Sequence, residues 1–250
     1  MGTHPLADDE CRGFDAAFGP SAVAASCAVL AVKDLARAKS RLAGDLDADD
    51  RERLVLAMFT DTITAVRATR RIGRIVVVTP DPRVTAVAVR AGALVIAEPA
   101  DADEDTTAEA SLNAAYRRAA ESSGTGASVV IALQADLPAV RPAELDAAIG
   151  AAPCGRSVVV DHTGIGTTAL IARGRGVALD PMFGPNSARR HLASGASALG
   201  GAAWPGLRTD VDTLDDLRRV IDIGVGQRTR REIDRLAGIG RLDRPRRRGA

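Results

Sequence analysis

Aromatic residues are scarce: 2% of the 250 residues, with Trp204 and Tyr116 each the sole member of its kind beside four Phe. That scarcity excludes the stacking platforms on which single-strand nucleic-acid binders lay bases, and a formal net charge of +1 leaves no basic surplus to grip a phosphate backbone. Lysine is scarcer still, since Lys33 and Lys39 are the only two among 33 basic residues. Cys11, Cys27 and Cys154 are odd in number and lack C-x-x-C spacing, while His4, His162 and His191 are scattered, so neither a zinc motif nor a disulfide framework is expected. Long apolar runs are also missing. The stretch Ala22–Val32 is interrupted by Ser26 and falls far short of the ~20 residues that span a bilayer. The acidic N-terminus does not read as a signal peptide, and Met1-Gly2 lacks the Ser or Thr at position 6 that myristoylation needs. These absences lead to the expectation of a cytoplasmic protein with neither nucleic acid nor membrane as partner.

What is present is globular. Hydrophobic residues make up 46% and charged residues 26%, close to the average for folded domains, and the length suits one large domain or two small ones. Charge is unevenly spread: residues 1–26 carry a net −3 and residues 227–250 a net +6, ending in Arg244-Pro245-Arg246-Arg247-Arg248. The expected organisation is a flexible extension over residues 1–24, one folded domain over 25–227, and an Arg-rich solvated tail over 228–250.

Within that domain, short apolar runs alternate with helical periodicity. Cys27–Val32, Arg74–Thr79, Ala93–Ala97 and Ser128–Gln134 read as strands, the first a continuous apolar run of the kind buried on both faces. Leu54, Met58 and Val66, with Val55, Phe59 and Ile63, recur at three- and four-residue spacing, and further helices are expected up to Ala91 and over Ser111–Ser122. This alternation predicts a three-layer α/β/α fold around a mostly parallel sheet, Rossmann-like in the broad sense. After residue 150 the pattern changes to a hairpin, Ser157–Asp161 and Thr167–Ala172 around Gly-rich His162–Gly166. A short helix is expected from Ser187 to Ala193, and Thr213-Leu214-Asp215-Asp216 reads as a capping box opening a helix to Ile223. Ligands of such sheets sit beyond the carboxyl ends of the strands, so Lys33–Arg41, Thr79–Pro82 and Ala135–Pro138 should border one crevice.

The residues of that crevice suggest anion chemistry. Lys33, Arg37, Lys39 and Arg41 place four cations in nine residues, suited to phosphates although no P-loop pattern is present. Asp136 follows a strand, and Asp210-Val211-Asp212 is an Asp-x-Asp pair. Such carboxylates can hold Mg²⁺ against phosphates, or simply form turns and caps. Gly184-Pro185-Asn186-Ser187 reads as either an anion seat or a helix cap, and Thr167 beside Gly164 and Gly166 as a hydroxyl-plus-amide group or a hairpin turn. His191 reads as a core or helix-surface histidine.

In order along the chain, AVKDLARAKSRL (31–42), LQADLP (133–138), GIGTT (164–168), FGPNSARRH (183–191) and GLRTDVDT (206–213) resemble the 2-phospho-L-lactate / phosphoenolpyruvate guanylyltransferases of coenzyme F-420 biosynthesis, over about residues 27–227. The resemblance implies a nucleotide-diphospho-sugar-transferase-like fold and GTP plus a phospho-hydroxyacid as substrates, with Mg²⁺ as cofactor. It puts metal on Asp136 and Asp210, with Asp212 adjacent, the triphosphate on Lys33, Lys39 and Arg41, and phosphoenolpyruvate on Thr167, Gly184 and Ser187. Asn113, in a Leu-Asn pair near the crevice, is a candidate contact to guanine or ribose. A downstream transferase that accepts the product would be a partner. Ala135 stands where many relatives carry Gly. Alternatives within the same architecture are a molybdenum-cofactor-type or sugar-phosphate nucleotidyltransferase and a metal-dependent glycosyltransferase using Asp210-Val211-Asp212. Outside enzymology, a non-catalytic nucleotide-binding scaffold remains an alternative.

Overall fold

The computed structural model describes residues 26–97, 107–122, 127–200 and 202–240. The N-terminal extension and the final Arg cluster therefore lie outside the described residues. Seven strands form one sheet: β1 (Ser26–Ala31), β2 (Arg74–Val78), β3 (Leu94–Ile96), β4 (Val129–Leu133), β5 (Gly155–Val160), β6 (Thr167–Arg173) and β7 (Ser197–Leu199). Their spatial order is β3-β2-β1-β4-β6-β5-β7. The β1–β2, β2–β3 and β1–β4 pairs are parallel, while β6 runs antiparallel to both β4 and β5. The mixed sheet and the hairpin thus match the sequence pattern.

The helices are α1 (Ala48–Ala68), α2 (Pro82–Arg90), α3 (Ala108–Ser122), α4 (Pro142–Ala151), α5 (Ser187–Ala193), α6 (Leu214–Ile223) and α7 (Gln227–Gly238). They cover both faces of the sheet, and the reason is visible in β1. Ala28 and Leu30 point into a core shared with α1, α2, α4, α6 and α7, whereas Cys27 and Val29 point into a second core with Ala115, Tyr116 and Ala119 of α3. A strand buried on both faces cannot alternate polar with apolar, so it reads as a continuous run. The same division recurs in β2, where Ile75 and Val77 face one core and Val76 and Val78 the other.

Two expectations need correction. The basic tail does not begin at residue 228. Thr229, Ile233 and Leu236 of α7 are buried against α1, and Asp61 of α1 accepts from the backbone N–H groups of Arg228 and Thr229 at 3.1 and 2.7 Å. A Cβ on Gly226 would lie 2.3 Å from the Asp61 carboxyl carbon, so this close approach requires glycine. Among the cysteines, Cys27 is free and its burial pushes the thiol up to about 11, but Cys154 is disulfide-bonded, contrary to the expectation of none. Among the described residues no helix is long and apolar enough to cross a membrane.

Candidate active site

Two loops at the carboxyl end of the central strands deliver three carboxylates to one point. The first leaves β4 and is pinned by two bonds: Gln134 N–H donates to the Thr168 carbonyl at 2.9 Å, and Leu137 N–H to the Thr62 hydroxyl of α1 at 3.1 Å. The second carries Asp210 and Asp212 on either side of Val211, whose side chain is fully buried. Val211 N–H donates to the Asp136 carbonyl at 3.3 Å and ties the loops together. Thr213 and Asp216 form the expected capping box of α6, and Asp216 also accepts from Asp212 N–H at 3.2 Å. As a result one oxygen each of Asp136, Asp210 and Asp212 lies within 4.8 Å of the others.

Lys39 closes this cluster. Its ammonium donates to Asp136 and, at 2.5 Å, to Asp212 Oδ1, while Arg41 donates to Asp212 Oδ2 at 3.2 Å. Burial lowers the affinity of Lys39 for its proton, but the two carboxylates outweigh it and hold the group above the ordinary lysine range. Asp210 is pushed the other way: burial, then repulsion from Asp136, raises it well above the usual carboxylate range despite Lys39. Asp212 is lowered, because Lys39 and Arg41 overcome the effect of burial. One ammonium and one exposed guanidinium face three acids in a partly dry site. Asp136 Oδ1 is buried with no hydrogen-bond partner among the described residues, an unmet acceptor that costs free energy unless a cation meets it. Three hard oxygen donors around an unmet charge fit a divalent cation that fills its remaining positions with water or phosphate oxygen.

The same cleft, about 640 Å³, extends from Asp210 and Asp212 past Arg41 to Thr167, Gly184 and Ser187. Gly184 has φ +122°, and Asn186 sits at φ 55° as the N-cap of α5. The Asn186 side chain makes no capping bond; Ser187 N–H donates to the Gly184 carbonyl at 3.1 Å. Ala188 N–H donates to the Ile165 carbonyl at 3.1 Å and fixes the β5–β6 hairpin loop against α5.

The Asn113 amide is engaged with the backbone of Phe183, accepting from Phe183 N–H at 2.8 Å and donating to the Phe183 carbonyl at 3.0 Å, and so shapes the segment before Gly184. Lys33 is half-buried just beyond β1, and the contacts that define the cluster are those of Lys39 and Arg41. Asp81 was not foreseen as part of the scaffold. It caps α2 through Arg83 and Val84 N–H and also accepts from Leu35 N–H at 3.3 Å, which anchors the start of the lysine loop. Its reach to Leu35 spans 46 residues and leaves no local trace in the sequence.

His191 is fully buried, stacked edge-on to Phe183. Burial, then the positive charges of Arg190 and Arg156, pull its pKa down to about 4. An unfolded chain with an ordinary histidine begins to take up this proton near pH 6.5, whereas the folded chain resists it until about pH 4. Stability is therefore complete above pH 6.5 and declines between 6.5 and 4, by up to roughly 3 kcal/mol from this group. Denaturant titrations at pH 7 and pH 4.5 should show that His191→Phe removes most of that decline; an unchanged difference would assign it to other groups.

The family of the chain follows from its similarity to known proteins. Residues 26–239 match the protein family described as guanylyl transferase CofC like. The chain is 53% identical over 217 residues to the phosphoenolpyruvate guanylyltransferase of Rhodococcus erythropolis, covering 84% of this chain and 96% of that protein. It is 47% identical over 224 residues to the enzyme of the same name from Nocardia farcinica, covering 88% and 96%. Among solved structures, a putative nucleotide-diphospho-sugar transferase from Desulfovibrio desulfuricans superposes with a TM-score of 0.62 at 13% identity, covering 88% of this chain and 97% of the other. A nucleotidyl transferase from Methanothermobacter thermautotroptrophicus reaches 0.54 at 19%, covering 79% and 96%. At such identities the structures speak for the fold alone, while the family match and the sequence relatives extend over nearly all of the described chain: it belongs to the CofC-like guanylyl transferase family.

Proposed function

We propose that the protein transfers GMP from GTP to the phosphate of phosphoenolpyruvate and releases pyrophosphate, as a step of coenzyme F-420 biosynthesis. The observation that carries this reading is that Asp210 and Asp212, two members of a three-carboxylate cluster closed by Lys39, line one cleft together with Thr167, Gly184 and Ser187. The names of the Rhodococcus and Nocardia relatives support phosphoenolpyruvate as the acceptor in preference to 2-phospholactate.

In the reaction an oxygen of the acceptor phosphate forms a bond to the α-phosphorus of GTP, and the bond from that phosphorus to the bridging oxygen of pyrophosphate breaks. The nucleophile is already an anion at neutral pH, so no side chain has to remove a proton, and the protein contributes position and charge neutralisation. Asp136, Asp210 and Asp212 are the residues that would hold Mg²⁺, which supplies charge stabilisation at phosphate oxygens when bound. Lys39 and Arg41, with Lys33 at the base of the same loop, bind the triphosphate, and Thr167, Gly184 and Ser187 seat the phospho-acid. The guanylylated product, a phosphoric anhydride with an activated phosphate, suits onward transfer by a second enzyme.

Incubation with GTP, Mg²⁺ and equimolar phosphoenolpyruvate, 2-phospholactate and 3-phosphoglycerate, with mass spectrometry of the products, tests the reading. Guanylylated phosphoenolpyruvate should dominate, with one pyrophosphate released per product. Pyrophosphate without any adduct, or transfer to a sugar phosphate only, would refute it. A finer expectation concerns Lys39. Its replacement by Ala should lower kcat/KM for GTP by roughly 1.5–3 kcal/mol, the scale of a charge-assisted hydrogen bond. A loss smaller than about twofold would take Lys39 out of nucleotide binding.

A further inference from the structure

His191 does not itself line the cleft, yet its ring is bound at both nitrogens. Met182 N–H approaches Nε2 at 2.9 Å, and the Thr167 hydroxyl lies 3.0 Å from Nδ1. A backbone N–H can only donate, so Nε2 must present its lone pair. A neutral imidazole carries one proton, which is then on Nδ1, and the Nδ1–H donates to Thr167 Oγ1. The Ser187 carbonyl, a neighbour that favours protonation of the ring, is a second acceptor for the single ring N–H; whether that proton is shared or not, a protonated Nδ1 has no lone pair to take the Thr167 hydrogen. Arg190 and Arg156 are the charged groups that act on the ring; both oppose a second proton, so the neutral form persists through the physiological range.

The consequence falls on Thr167. An isolated hydroxyl can turn to donate or accept, but one that already accepts from His191 has its own hydrogen free for another partner. Thr167 is 4% exposed and lines the cleft, so that hydrogen is available to a ligand there. We propose that His191 is a positioning residue of the acceptor subsite: by occupying the Thr167 oxygen with Nδ1–H it sets this hydroxyl as a donor and so selects an ionised, acceptor-only oxygen of the phospho-acid. The inference rests on the proposed function for the identity of the ligand and goes beyond it in assigning the hydroxyl's direction and the residue that sets it. A neutral amide in place of the acid, with N–H groups of its own, is disfavoured by the same arrangement.

Two conservative variants separate this role from packing. The side-chain amide of His191→Asn sits where Nδ1 does and can still donate to Thr167, but it loses Met182. His191→Gln extends to the Nε2 position, keeping Met182 and losing Thr167. With phosphoenolpyruvate varied at saturating GTP, His191→Asn should keep KM within about threefold of wild type. His191→Gln should raise it about tenfold, as Thr167→Val does, with KM for GTP unchanged in both. The double variant His191→Gln/Thr167→Val should be no worse than Thr167→Val alone, as expected when one residue acts through the other. Independently of turnover, ¹⁵N shifts of the His191 ring should show the Nδ1–H neutral tautomer between pH 5.5 and 8. An Nε2–H tautomer, or equal KM effects in the Asn and Gln variants, overturns the inference. A wild-type protein that makes no adduct with phosphoenolpyruvate overturns the proposed function and this ligand assignment together, which the ring tautomer, measured without substrate, distinguishes from a wrong hydroxyl direction. Should either single variant fail to fold, Thr167→Ser against Thr167→Val, with the same tautomer measurement on wild type, decides the question: Ser keeps the donor and should retain KM, and equal losses overturn it.

Discussion

Asp136→Ala should abolish guanylyl transfer, with a loss of roughly a thousandfold or more in kcat, about 4 kcal/mol, while leaving the thermal transition nearly in place. The reasoning is local. Asp136 supplies an oxygen to the three-carboxylate cluster and keeps a second, buried oxygen without a partner among the described residues. Its side chain adds nothing to either hydrophobic core, whose nearest members are Leu133 and Leu137. Removing it leaves Lys39 paired with Asp212 and relieves the repulsion that raises Asp210, so the metal-free fold loses little. Pyrophosphate release, circular dichroism and titration with Mn²⁺ as a spectroscopic stand-in measure the three quantities separately. Turnover within tenfold of wild type would take Asp136 out of the metal site.

Gly184→Val should raise KM for phosphoenolpyruvate by one to two orders of magnitude, yet leave Mg·GTP binding within a few-fold. The backbone there sits at φ +122°, a region that costs a β-branched residue about 1–3 kcal/mol. A Cβ would also meet Glu109 at 2.9 Å and Arg190 at 3.0 Å. Glu109 is exposed and can swing aside, so the backbone conformation is the obstacle that remains. If the segment relaxes, it carries Ser187 away from Thr167, because Ser187 N–H is bonded to the Gly184 carbonyl. Isothermal titration with each ligand separates the two sites. Equal loss of both would point to a shared site or misfolding, and unchanged acceptor binding would show that Phe183–Ser187 is a helix cap only.

Much of the sheet could be read before any coordinates, because strands buried on both faces leave continuous apolar runs, as in Cys27–Val32 and Arg74–Thr79. The capping box at Thr213 and Asp216 was legible for a related reason: its two partners are three residues apart. What escaped were elements whose signal is weak or whose partners are distant. In α4 four of the ten residues of PAELDAAIGA are alanine, and only Leu145, Ala148 and Ile149 are buried, so periodicity barely rises above its background. In α7 the charged residues dominate the composition, although Thr229, Ile233 and Leu236 keep the four- and three-residue spacing of a buried stripe. The candidate site shows the same division. The carboxylates and the Gly184–Ser187 segment announced themselves by type and neighbours. The engagement of Asn113 with Phe183 spans 70 residues, and that of Thr167 with His191 spans 24, and each changes what the side chain is free to do.

The seat of α7 on α1 also bears on how the chain is made. Asp61 meets Arg228 and Thr229 across 167 and 168 residues, and Arg235 reaches Asp50 at 2.5 Å across 185. A ribosome adding roughly 5–20 residues per second completes α1 many seconds before α7 emerges. During that interval the outer face of α1 has no permanent cover, and the closing contact costs the loop entropy of most of the domain. The local βα units can form early, but the first core is sealed only by the last helix among the described residues. A nascent chain halted before Gln227 should consequently remain a protease-sensitive intermediate with α1 exposed, and release of some dozen further residues converts it to the closed domain.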